Sequence, residues 1–325
     1  MTTLQSDPDR GANSAQGFAP ADDTRPLVRG NYARWALVPI VAASGFAGLG
    51  YEIVWTRQLS LALGTEMMAV LGAVAGFFAG LALGAFTLDG LIRRARSPRM
   101  IYALLEVVIG TWGVVAVWLL PAAGRALAPL LGTEPAPALL WAASFALPTL
   151  VLLPATVAMG GTLAALERIT RETRGNGRVS AGVYGANTAG AVAGALLSTF
   201  VLIPWIGLSG TLICLACVNG LCALATLALG PVPQSATLDI DQIPARSVGG
   251  LRLSLTLFAT GFLGIAFEML VVRLAAQVLE DTVYTFAGLL AAYLLGTAAG
   301  GLLWQWVARR ERSAAFGWLL AAAAL

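Results

Sequence analysis

Four ionisable residues sit inside apolar runs and recur at one spacing. Glu52 and Arg57 are followed, 216 positions later, by Glu268 and Arg273. A charge at the centre of a membrane helix costs ~2.5–3.5 kcal/mol on insertion scales, so it persists with a partner, a wet cavity or a task. A separation of five places Glu52 and Arg57 about 140° apart on a regular helix, which makes them poor partners for each other. Glu52 lies about 25 Å along a helix that starts near Trp35, and Arg57 can snorkel to the nearby interface. Three chemistries remain open. Each Glu can pair with an Arg on a neighbouring helix and lock the fold. The two carboxylates can bind a cationic amine in an aqueous cavity. One of them can carry a proton, since like charges disfavour double ionisation.

Other residues are candidates for supporting roles. Tyr51 and Trp55 flank Glu52 and join the candidate substrate contacts with Arg57, Glu268 and Arg273. Asp89, Arg93 and Arg94 (GAFTLDGLIRR) resemble a clasp at the end of a helix, with Gln305 at the second copy of Asp89. Glu106 is expected to pair with Arg93 or Arg99, and Asn187 and Thr188 to hydrogen-bond a neighbouring helix. The chain has no His, which removes imidazole as ligand, shuttle or base. Cys214, Cys217 and Cys222 share one apolar run and are expected to pack as reduced thiols. No metal and no cofactor are expected.

The elements that position these residues follow from composition. Of 325 residues, 58% are hydrophobic and 11% charged, against about a quarter charged in a soluble domain. The outside must therefore face lipid, and the partner expected first is the bilayer. A net charge of +3 gives no reason to expect nucleic acid.

A crossing takes about 20 helical residues. That ruler gives eight full spans, near 35–60, 67–91, 100–121, 138–159, 180–204, 207–229, 253–278 and 283–307, and a partial ninth from Ser313. The fold class expected is all-α, a polytopic helical membrane protein. Residues 1–34 read as a disordered tail, 35–230 as a six-helix repeat, 231–250 as a linker and 251–325 as the start of a second, truncated repeat. Residues 161–174 read as a short amphipathic helix at the surface. With alternating spans, 17 of the 20 Arg fall on one side, so the positive-inside rule places the N-terminus in the cytoplasm.

Residues 43–94 align with 259–310 without a gap, with 14 of 52 positions identical. The matches include Glu52/Glu268, Arg57/Arg273 and Arg93-Arg94/Arg309-Arg310. Six spans separate the copies, so the repeat is parallel, as between the halves of major facilitator transporters. Small residues recur every fourth position at Gly72, Gly76, Gly80 and Gly84, at Gly182, Ala186, Gly190, Gly194 and Ser198, and at Gly288, Ala292, Gly296 and Gly300. These stripes are expected to let helix backbones approach closely.

The segments GFAGLGYEIVWTRQLSLALG, AGFFAGLALGAF, AMGGTL and VYGANTAGAVAGALLSTFVLIPWIGLSGTL resemble the membrane region of bacterial membrane-bound spermidine synthase-like proteins. These are also described as major facilitator/spermidine synthase fusions. The resemblance covers roughly residues 40–310. It implies a transporter-like module in a bacterial inner membrane that binds or moves a small cation such as a polyamine. Alternatively, it implies an anchor or scaffold for a soluble aminopropyltransferase domain. No Gly-rich loop or acidic pair of that catalytic domain occurs in this sequence.

Overall fold

The computed structural model describes residues 25–132, 135–172, 177–229, 250–279 and 283–308. Apolar runs this long cannot leave backbone groups unpaired in lipid, so they form helices. These are α1 (Arg25–Leu63), α2 (Glu66–Arg94), α3 (Pro98–Leu131), α4 (Pro137–Glu172), α5 (Gly177–Leu197), α6 (Ile203–Ala228), α7 (Gly250–Val278) and α8 (Val283–Ala308). A π-helical turn, Ser198–Leu202, joins α5 to α6. Seven stretches among the described residues are long and apolar enough to cross a membrane, which makes the chain a multi-pass membrane protein by length and composition.

Three boundaries differ from expectation. First, α1 begins at Arg25, ten residues inside the tail expected to be disordered. Pro26 suits a first helical turn, where its missing N–H is not needed. Second, residues 161–172 form no separate surface helix. They are the last turns of α4, and Ala165, Leu166 and Ile169 are buried in a core with Leu37, Val41 and Tyr102. Third, the expected fifth and sixth spans form one apolar stretch of 47 residues, Gly182–Ala228. At 1.5 Å per residue this is about 70 Å, twice a hydrocarbon core. Gly207, at φ 70° and ψ 178°, interrupts it. The expected linker 231–250 (apart from Gly250) and the expected ninth span lie outside the described residues.

Contacts fix the helix directions. Ala42 meets Gly190 and Phe46 meets Gly194, so α5 runs parallel to α1. Ile40 meets Cys222 and Gly50 meets Leu215, so α6 runs antiparallel to α1. The chain therefore reverses near Gly207. Ser44 meets Glu106 and Tyr51 meets Gly113, which makes α3 parallel to α1. The α2–α4 pair is parallel as well, from Gly72 against Ser144 to Gly84 against Val157.

Two glycine stripes act as expected. A Cβ on Gly72 would stand 1.8 Å from the Ser144 carbonyl oxygen, and one on Gly84 2.0 Å from that of Val157. Gly80 faces the Thr156 hydroxyl oxygen at 1.8 Å, and Gly76 the Thr149 backbone at a looser 3.1 Å. On α5, Gly190 and Gly194 touch the carbonyls of Ala42 and Phe46, while Gly182 has no atom within 4 Å of a built Cβ. The α8 stripe differs. Gly288, Gly296 and Gly300 have no atom within 4 Å of a built Cβ, so Gly296 and Gly300 pack no helix among the described residues.

The α1–α6 bundle holds the largest core, around Tyr51, Trp55, Leu152 and Leu212. A smaller cluster joins it to the last two helices. There Ile53, Val70, Val74 and Ala195 meet Val272, Phe286 and Leu290. Phe200 and Tyr284 add a ring contact at 5.5 Å between the π-turn and α8.

Candidate binding site between the repeated helices

Glu52 and Glu268 occupy the same register on α1 and α7. The two helices lie on either side of the small joining cluster, which places both carboxylates at the seam between the copies. They are 5% and 6% exposed, and close enough for their charges to act on each other. Neither forms an ion pair with another described residue, so the lock by neighbouring arginines does not form there. Arg57 bonds Glu66 instead, across the turn between α1 and α2. Arg273 is exposed.

A cleft opens one turn further along both helices. Thr56, Arg57, Ser60, Glu66 and Val70 line it from α1 and α2. Val272, Ala276, Val283, Thr285 and Phe286 line it from α7 and α8. Three of these are repeat-equivalent pairs at the 216-residue offset: Thr56/Val272, Ser60/Ala276 and Val70/Phe286. On α1, positions 52, 56 and 60 share a face, as do 268, 272 and 276 on α7. The cleft thus continues the stripe that carries the two carboxylates. Thr56 is 3% exposed, and its hydroxyl has no hydrogen-bond partner.

Tyr51 and Trp55 do not join this cleft. Their rings stack at 4.9 Å inside the first bundle, where Tyr51 presses on Gly113 of α3. Tyr51, next to Glu52, points about 100° away from the face Glu52 uses, and Trp55, four residues after Tyr51, stacks on it inside the bundle although it lies only about 60° from Glu52.

The other candidates resolve as follows. Asp89 and Arg93 pair at 3.2 Å within α2, both well exposed, and Arg94 is exposed as well. Arg168 of α4 makes the link between helices at that end. It donates to the carbonyls of Ile92 and, at 2.8 Å, Ala95. A cation there caps the last turn of α2 and favours its dipole. Glu106 does not use Arg93. It is fully buried and accepts from Ser44 Oγ at 2.7 Å and Asn219 Nδ2 at 2.6 Å, with Tyr102 beside it. Arg99 lies two turns back on the same helix, about 10 Å away along the axis. Thr188 donates to Tyr184 of its own helix, 3.0 Å away, and not to a neighbour. Cys222 is buried and packs as a small apolar group, while Cys217 is exposed. No group of metal-ligating side chains occurs among the described residues.

Sequence reasoning missed Glu66, Arg168 and the donors of Glu106. For Glu66 a signal was present. Gly64-Thr65 separates two apolar runs and marks a tight turn, with Gly64 at φ 74°. Such a turn brings residues on either side of it together. Compared with known protein families, curated proteins and solved structures, the chain matches none.

Proposed function

We propose that the chain is a transporter-like membrane module that binds a small organic cation between two parallel repeats. The observation that carries this is the placement of Glu52 and Glu268. Two repeat-equivalent carboxylates, both buried, lie near each other, with no Arg beside either among the described residues. Carboxylates in a low-dielectric seam need a counter-charge or a proton, and an ammonium supplies the first. On this proposal the stretch Gly182–Ala228 crosses twice, reversing at Gly207, and eight helices alternate through the membrane. The Arg-rich ends of α2 and α4 face the cytoplasm with the N-terminus.

The resemblance to major facilitator/spermidine synthase fusions supports a polyamine among the candidate cations. It also gives a second proposal, that the module anchors an aminopropyltransferase domain. The Tyr51-Glu52…Trp55-x-Arg57 segment favours the family link, and the carboxylate pair favours a binding role of the module itself.

The test is equilibrium binding of labelled amines to the purified protein, with cadaverine and spermidine as probes. Saturable binding is expected, reduced at least tenfold by Glu52→Gln and by Glu268→Gln, with elution profile and Tm unchanged. Binding that survives both substitutions overturns the assignment.

A further inference from the structure

The cleft beside the carboxylates has two unlike walls, although the repeat makes them equivalent by position. The α1 wall offers hydroxyls, Thr56 and Ser60. The opposite wall offers Val272, Ala276 and Phe286, with one hydroxyl, that of Thr285, which already has a partner. Each hydroxyl of the first copy has thus become a hydrocarbon in the second. At the rim, Arg57 is neutralised by Glu66, so the rim presents a closed ion pair and not a free charge. The buried Thr56 hydroxyl lacks a partner and lies one turn, about 6 Å, from the level of Glu52.

From this we infer that the cleft is built for an amphipathic monoamine: an ammonium at the Glu52/Glu268 level and an apolar chain along Val272, Ala276 and Phe286. Thr56 supplies the acceptor for one ammonium N–H, which its unpartnered hydroxyl can do. Ser60 already donates to the Arg57 carbonyl at 2.8 Å, so it lines the wall without competing for the ligand. A second ammonium on the same chain meets hydrocarbon and an already partnered hydroxyl on one side, and a neutralised rim at the end. Neither replaces its water. A methylene buried on the apolar wall instead tightens binding about fourfold. The preference presupposes that Glu52 and Glu268 bind the ammonium.

The probes are n-pentylamine and cadaverine, which share five carbons and differ in a second amine. Specific binding is the difference between the wild-type protein and its Glu52→Gln/Glu268→Gln form, which subtracts partition into lipid. Wild type is expected to bind n-pentylamine at least tenfold more tightly than cadaverine. Val272→Thr with Ala276→Ser, which writes the first copy's residues into the second, is expected to narrow that ratio to under threefold. Both replacements are close in volume to the originals. If that double variant fails to fold, Phe286→Val copies Val70, and n-pentylamine is expected to weaken about fivefold while cadaverine stays within twofold. Cadaverine binding as tightly as n-pentylamine, or a ratio unmoved by the wall substitutions, overturns the monoamine preference and leaves the carboxylate site standing. Binding of neither amine overturns both.

Discussion

Helices α2 and α8 carry the same stripe of small residues, and among the described residues only that of α2 is covered. Along α2, Gly72 to Gly84 lie in backbone contact with α4. Along α8, Gly288, Gly296 and Gly300 face open space. The comparison separates what a stripe permits from what it achieves. Small residues lower the closest approach of two backbones, but dispersion is gained only when a second backbone arrives. The same contrast runs through the first helices of the copies. Glu106-type hydrogen bonding, stacked aromatics and close glycines hold α1 on several sides, whereas much of α7 exposes Leu and Phe side chains.

Glycine-to-alanine changes break or sharpen this comparison most strongly. At Gly72 the added methyl would stand 1.8 Å from the Ser144 oxygen and 3.0 Å from Pro148. Both lie on a helix that must move as a unit, so the α2–α4 pair has to separate. A loss of about 3 kcal/mol or more is expected, read as a collapse of folded yield and Tm in detergent. Gly296→Ala meets nothing within 4 Å. Helix propensity then acts alone and favours alanine by up to ~1 kcal/mol. Equal damage at both positions would show that α8 is packed after all.

The parts legible in the sequence share a physical origin. Apolar length specified where helices run, because lipid leaves the backbone no alternative. Spacing specified the α2 and α5 stripes, because residues four apart share a helix face. The repeat offset picked out Glu52 and Glu268, and both are buried. What stayed hidden depends on contacts distant in sequence. Glu106 takes its donors from Ser44 and Asn219, 62 and 113 positions away. Proximity to Arg93 and Arg99 in the sequence pointed the wrong way, because two turns of helix put Arg99 about 10 Å away along the axis, while Ser44 and Asn219 reach Glu106 from neighbouring helices. The capping of α2 by Arg168 spans 73 to 76 positions and has no local signature. Tyr51 and Trp55 were grouped with Glu52 by adjacency, and their stacking on each other inside the first bundle takes them away from it.

Two buried carboxyl groups give the next comparison. Glu106 accepts two short hydrogen bonds from neutral donors, and Glu52 accepts none from a described residue. Glu106→Leu leaves Ser44 and Asn219 with unmet donors in the core, at about 1–3 kcal/mol each. A fall in Tm is expected, with Asn219→Leu added to Glu106→Leu recovering part of it. Glu52→Leu removes a desolvated carboxyl and strands no donor. Its Tm is expected to hold or rise while amine binding disappears. A Tm loss at Glu52 as large as at Glu106 would make Glu52 a structural residue, and the binding proposal would lose its support.

The smallest effect separates the two repeat-equivalent arginines. Arg57 pairs with Glu66, the two side chains being 35% and 26% exposed, so the pair is half in solvent. Exposed and half-exposed pairs are worth about 0.2–1 kcal/mol, and salt weakens them. Arg57→Met is therefore expected to lower stability by no more than about 1 kcal/mol, and by less in high salt. Arg273 has Thr282 at the position matching Glu66, so the repeat supplies it no carboxylate there. Arg273→Met is expected to leave Tm within ~0.5 kcal/mol of wild type at every salt concentration. The ligand readout splits them further. Freeing Glu66 at the rim adds an unpaired carboxylate beside the cleft. Arg57→Met should then favour cadaverine over n-pentylamine, while Arg273→Met leaves their ratio alone. If both substitutions shift that ratio equally, the rim pair does not set the charge of the cleft mouth.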